Sequence, residues 1–200
     1  MIVEEFAELP PILRKVQQHG FRVFSSGNYD LNIIGVRTIA GRKDNEFDDR
    51  IYIVYLLNGK WVSEWGEATT DAGRYWLTKP DYKPCAVYLH PQQARGAYEL
   101  GLHRGKYEAL VQRKRVLFWR DGNKDNHVDY ASSVAYNDLI GLNIHRATAK
   151  NEGSKYVERW SAGCQVFKYA SDHQRMIRLC KQQINKRGYH KFTYTLITDE

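Results

Sequence analysis

The sequence predicts a single, mainly β domain with two short helices. Three observations carry this. Short apolar runs recur along the chain and are punctuated by Gly, Asn and Asp turn residues. Asn58-Gly59, set between two such runs, is the strongest hairpin signal present. Helical spacing is confined to two segments, one near each terminus.

In chain order, residues 1–30 form a lead-in and residues 31–200 the core. Phe6, Leu9, Ile12, Leu13 and Val16 are spaced as on a helix, and Pro10-Pro11 suits a helix start, so 11–18 is the first helix, closed by His19-Gly20. Phe21 to Phe24 is a short strand and 25–28 a turn. Leu31 to Ile39 is an apolar strand. The charged stretch from Gly41 to Arg50, with four carboxylates around Phe47, reads as a solvated hairpin loop, or as a groove rim or cation contact. Ile51–Leu57 and Lys60–Gly66 are the hairpin strands flanking Asn58-Gly59. Asp71-Ala72-Gly73 is a turn, and Ala86–Leu89 is a strand beginning beside Cys85. Gly96 to Leu110 suits a loop or twisted strand at a groove, and Val116–Trp119 is another strand. Asp121, Asn123, Asp125 and Asp129 have the alternation of a calcium loop. Asn126 stands where that loop needs glycine and Ser132 where it needs glutamate, so an acidic turn is expected and no metal. Met176, Ile177, Leu179, Cys180 and Ile184 mark an amphipathic helix over 171–186, with Ser171 as cap and Arg187-Gly188 as stop. Phe192 to Ile197 is the closing strand. The tally is about nine strands and two helices.

Composition narrows the function classes. An apolar fraction of 42% with 13% aromatics supports a core and excludes a disordered chain. The formal charge of +7 suits nucleic acid, an anionic surface or an anionic wall polymer. The basic cluster Arg113-Lys114-Arg115 reads as a strand start, and without a nucleic-acid motif no nucleic-acid partner is expected. Three cysteines without C-x-x-C spacing make neither a disulfide framework nor a closed zinc site. The N-terminus has neither the basic nor the long apolar segment of a signal peptide, and no apolar run is long enough to span a bilayer. Cytoplasmic synthesis without integral membrane contact is the expectation.

The stretch from Leu139 to Phe167 carries the chemistry. Leu142, Ile144 and Val166 suit short buried strands, and His145 and Cys164 follow or precede them, too far apart for one helix face. Gly163 permits a tight turn before the sulfur. Brought together by the fold, the pair makes a thiol nucleophile with an imidazole base. The pattern resembles the signature of the L,D-transpeptidases, the YkuD-like cysteine enzymes of peptidoglycan metabolism, in which a histidine is followed by Ser-His-Gly-Cys. His145 matches the base, Ser161 the motif serine, Gly163 the glycine and Cys164 the nucleophile. Two positions depart from it: Arg146 replaces a glycine and Ala162 a histidine. The wider wording, including N-E-F-D-D, G-L-H-R-G-K-Y and W-S-A-G-C-Q-V-F, looks like a divergent phage branch.

The resemblance implies an L,D-transpeptidase-like β-sandwich and attack by Cys164 on a peptidoglycan stem. Neither cofactor nor metal is implied, and a phage enzyme would reach the wall during lysis. Ser161 is expected to orient His145 or to satisfy a loop amide. His103, Arg104, Tyr107, Arg146 and Trp160 are candidates for contacting substrate, with Arg146 holding a stem carboxylate. Cys85 and Cys180 read as structural. The competing reading is a non-catalytic wall-binding or virion structural module on the same scaffold, supported by Ala162 and Arg146.

Overall fold

The computed structural model describes residues 1–79, 86–121, 123–129 and 134–199; Cys85 and the end of the acidic 121–132 segment lie outside them. The elements are β1 (Ile2–Phe6), α1 (Pro11–Gln18), β2 (Asn32–Thr38), β3 (Asp49–Leu57), β4 (Lys60–Thr69), α2 (Arg74–Thr78), β5 (Ala86–Leu89) and β6 (Gln92–His103). They continue with β7 (Tyr107–Gln112), β8 (Val116–Asp121), β9 (Tyr136–Asp138), β10 (Ile144–Arg146), β11 (Gln165–Phe167), α3 (Ala170–Arg187) and β12 (Lys191–Asp199). The domain is mainly β, with a closed eight-stranded barrel at its centre. Its order is β4-β11-β10-β7-β6-β12-β2-β3, and β3 pairs back onto β4 to complete the circle. Closure leaves no free edge between these strands, so the sheet is rolled on itself. A three-stranded sheet, β5-β8-β9, stands beside it.

Alternation explains the packing. Ile33, Ile51, Ile53, Leu110, Ile144, Phe167, Tyr194 and Leu196 point to one interior and are buried. The apolar stripe of α3 (Met176, Ile177, Leu179, Cys180) completes the same core, so Cys180 is structural as read. Gly35 on β2 is required here, because a Cβ at this position would lie 1.9 Å from the Tyr194 hydroxyl. That hydroxyl donates to Gln165 Oε1 at 2.8 Å, which fixes the start of β11. On the outer face α1 covers Ile34, Val54 and Trp61 with Leu13 and Val16. Buried Arg37 ties the barrel to the small sheet, donating to Thr70 Oγ1, to the Thr70 carbonyl and to the Leu89 carbonyl on β5. Among the described residues no helix is long and apolar enough to cross a membrane.

Several elements differ from expectation. Residues 21–24 form no strand; the backbone N–H groups of Arg22 and Phe24 are taken by the side chains of Gln93 and Asn32 instead of a ladder. The first residues form β1, paired antiparallel with β4. A third helix, α2, follows Gly73. Ser171 is not the cap of α3, which begins at Ala170 behind Tyr169. Residues 41–50 are not a solvated loop: Asn45, Phe47 and Asp49 are buried, and Phe47 packs on Ala147, Val157 and Val166. In the acidic turn the Asn123 amide donates to both Asp125 and Asp129.

Candidate active site

The site grows from two short parallel strands. β10 and β11 pair with His145 opposite Val166, and the Gln165 N–H donates to the Asn143 carbonyl at 3.0 Å. Ile144 and Gln165 point into the barrel, so alternation turns His145 and Cys164 to its outer face, with Cys164 beside Asn143. Cys164 joins the small cluster of Phe47, Ala147, Val157 and Val166 that seals this face.

The turn before the cysteine has one workable chemistry. Ser161, fully buried, accepts the Gly163 N–H on its hydroxyl at 3.0 Å and donates that hydroxyl to the Cys164 carbonyl at 2.8 Å. Ser161 therefore pins the turn and does not orient His145. Gly163 has φ +137°, and a Cβ there would lie 2.3 Å from Val87 Cγ2 and 2.5 Å from the Val87 carbonyl oxygen. The Ala162 carbonyl, where the motif departs from histidine, accepts the Val87 N–H at 3.0 Å. The turn is clamped against β5, and the sulfur projects from its end.

His145 is 3% exposed. Its Nδ1 lies 2.8 Å from the carbonyl oxygen of Arg146, which can only accept, so Nδ1 carries the proton and Nε2 is the basic nitrogen. Tyr107 donates its hydroxyl to the same carbonyl at 3.2 Å and sits 3.3 Å from Nδ1. His103 stacks on His145 with ring centroids 4.0 Å apart. Its Nδ1 receives the Asn143 side-chain N–H at 3.1 Å, while Asn143 Oδ1 accepts the Gln112 backbone N–H. Gln112 Oε1 in turn accepts N–H groups from Ile140, Gly141 and Leu142, holding the loop that borders the sulfur. Asn143 and Gln112 are thus supporting residues with no sequence signal beyond being polar in apolar runs.

Burial keeps the Cys164 thiol and the two imidazoles uncharged at rest. Burial pushes the His145 imidazole down to about 3, with His103 adding to the effect and the Arg146 carbonyl opposing it. Burial and then Arg104 bring His103 to about 4. Burial also raises the Cys164 thiol, against an Asn143 backbone N–H and the Arg104 charge, which favour the thiolate. The cation acting on the sulfur is therefore Arg104, at the β6–β7 turn with φ +51°. In the resting geometry the thiol faces the Gly141 carbonyl at 3.5 Å.

The expected substrate-contacting residues converge. His103, Arg104, Tyr107, Arg146 and Trp160 line one pocket of about 370 Å³ together with His145, Lys106 and Arg159. Among the described residues four cations and no carboxylate line it. Arg146 lies over the Tyr107 ring at 4.2 Å, and among the described residues no carboxylate pairs with it, neither Glu152 nor Glu158. Trp160 anchors its loop through an indole N–H to Ser154 Oγ and leaves 41% of its surface exposed at the rim. Cys164 is at the neighbouring strand start and is not part of that lining. Comparison with protein-family models, curated proteins and solved structures finds no match to this chain. The site must therefore be read from its own geometry.

Proposed function

We propose that the protein is a cysteine-dependent peptidoglycan stem-peptide hydrolase or L,D-transpeptidase, acting through a thioester acyl-enzyme on an L,D-transpeptidase-like scaffold. The observation that carries this reading is His145, whose Nδ1–H is committed to its neighbour's carbonyl, leaving Nε2 as base on the strand beside Cys164. The cationic pocket supports an anionic peptide, because stem peptides carry free carboxylates and an arginine fork suits them.

In the proposed reaction the Cys164 thiol turns from Gly141 and gives its proton to His145 Nε2 as sulfur bonds to the carbonyl carbon. The resemblance implies the peptide bond after a diaminopimelate-type residue. Because burial disfavours both the thiolate and the imidazolium, proton transfer accompanies attack and no ion pair is preformed. The Cys164 backbone N–H is the candidate donor to the oxyanion, since the Gly163 N–H is already used by Ser161. The C–N bond breaks, His145 returns the proton to the leaving amine, and water or a second amine then cleaves the thioester. Hydrolysis by water, at the cell wall during phage lysis, is the form proposed.

A second reading is favoured by one observation: the raised thiol donating to a backbone carbonyl is the state of an inert cysteine, as in a wall-binding or virion structural module. Incubation with purified peptidoglycan and mass spectrometry of the products separates the two. Shortened stems or lost cross-links with wild type but not with Cys164→Ala support the enzyme. Binding to the wall without any product from either protein supports the module.

A further inference from the structure

A second cleft lies across the Arg146–Tyr107 pair from the pocket just described. It has a volume of about 290 Å³, at the lower end of small-ligand sites, and runs between the rim of β7 and β10 and the first turns of α3. Its lining combines Tyr107, Arg146, His173, Gln174, Arg178 and Lys181. His173 is the decisive residue. It is 2% exposed, faces the cleft, and among the described residues neither ring nitrogen has a hydrogen-bond partner. Its ring is held edge-on to Tyr107 and Phe167, so its direction is fixed by packing. A buried polar group left unpaired is costly, and a retained one points to a partner from outside the protein. The charges say which kind. Among the described residues Lys181 is paired with Glu108, the one carboxylate in the lining, whereas Arg146 and Arg178 have no carboxylate partner.

We propose that this cleft is an anion subsite in which Arg146, Arg178 and a His173 N–H hold a free carboxylate of the substrate. The anion chemistry follows from these side chains alone; the identity of the carboxylate as one on a stem peptide rests on the function proposed above. Arg146 is the wall shared with the pocket beside His145, so a peptide whose reacting bond lies at Cys164 can place a carboxylate here by passing the Tyr107 ring. That makes Arg178, on α3 and outside the motif, a specificity-determining residue.

The test uses full-length Cys164→Ala protein, which binds without turnover, and follows the imidazole resonances of His173 by long-range proton–nitrogen correlation. They are assigned by their loss in His173→Gln. The probes are inorganic phosphate, the tetrapeptide L-Ala-γ-D-Glu-diaminopimelyl-D-Ala, and the same peptide with its carboxylates amidated. Saturable shifts of His173 with phosphate and with the tetrapeptide are expected. Binding should weaken at least tenfold on amidation and at least tenfold in Arg178→Gln, the loss of one charge-assisted contact. Arg178 is exposed, so that variant keeps the fold, checked by an unchanged melting temperature. Shifts with phosphate but not with the tetrapeptide overturn the peptide carboxylate as ligand of this cleft, while product formation from peptidoglycan by wild type and not by Cys164→Ala then shows that the proposed function stands without it. His173 resonances that move with neither probe overturn the subsite itself, whatever activity the wild type shows on peptidoglycan.

Discussion

Replacing Ser161 by alanine separates a turn-pinning role from a catalytic one. The side chain is fully buried, and its hydroxyl both accepts the Gly163 N–H and donates to the Cys164 carbonyl. Alanine removes one oxygen, leaves almost no cavity, and strands the buried Gly163 N–H and the part-buried Cys164 carbonyl. Each stranded group costs roughly 1–3 kcal/mol, so about 2–6 kcal/mol together is expected. For a domain of this size that lowers the melting temperature by roughly 5–20 °C. Differential scanning calorimetry reads the loss. Iodoacetamide labelling of Cys164 well below the new melting temperature reads the chemistry, and should change less than threefold because His145 keeps its own partners in Arg146 and Tyr107. A melting temperature within a degree or two of wild type, with labelling or turnover lost, would refute the turn-pinning argument and return Ser161 to the catalytic group.

Three further outcomes follow from the same geometry. Gly163→Ala places a methyl 2.3 Å from Val87 Cγ2 at φ +137°, so destabilisation of about 2–4 kcal/mol in urea unfolding is expected, with activity lost in the folded fraction. Arg104→Gln should move the pH midpoint of Cys164 alkylation further up, because Arg104 is the cation favouring the thiolate; Arg146→Gln should leave that midpoint and raise KM with kcat nearly kept. His173 is held down to about 3 by burial, ahead of Arg146 and His103, while an unfolded histidine titrates near 6.5. The unfolded chain then binds the extra proton between these values, so this residue's contribution is intact above pH 6.5 and is lost as pH falls toward 3, at up to about 1.4 kcal/mol per unit. Urea unfolding of wild type and His173→Gln from pH 7 to 4 should show the variant losing less stability; parallel curves would contradict the buried, neutral histidine.

What was legible in the sequence was local. The 11–18 helix, the Asn58-Gly59 hairpin and the amphipathic 171–186 segment each carry their periodicity within one stretch, and all three are present. β1 was hidden because Ile2 and Val3 remain exposed and no burial pattern marks the strand. Closure of the barrel was not legible, since it depends on β2 pairing in parallel with β12 from the far end of the chain. The stretch 41–50 misled because four carboxylates suggested solvent, whereas Asp49 is buried accepting the Thr38 and Thr70 N–H groups and Phe47 faces the site's seal. At the site, the motif brought His145 and Cys164 to neighbouring strands, and the five expected substrate residues do share a pocket. The division of labour between Arg104 and Arg146 was beyond the sequence, because it depends on the bend of one hairpin turn. So was His173, whose meaning lies in ring nitrogens without a hydrogen-bond partner among the described residues rather than in any spacing.

The central claim is that Cys164 forms an acyl bond with a stem peptide using His145 as base. The most direct measurement is intact-protein mass spectrometry of wild type, Cys164→Ala and His145→Gln after rapid mixing with a tetrapeptide-containing muropeptide and acid quench. The claim requires an adduct on wild type equal to the muropeptide minus its terminal D-alanine, mapped to the Cys164 peptide and labile to hydroxylamine. It should be absent from Cys164→Ala and formed at least a hundredfold more slowly in His145→Gln. Turnover of the muropeptide by Cys164→Ala at the wild-type rate, or an adduct mapped to any other residue, would contradict it.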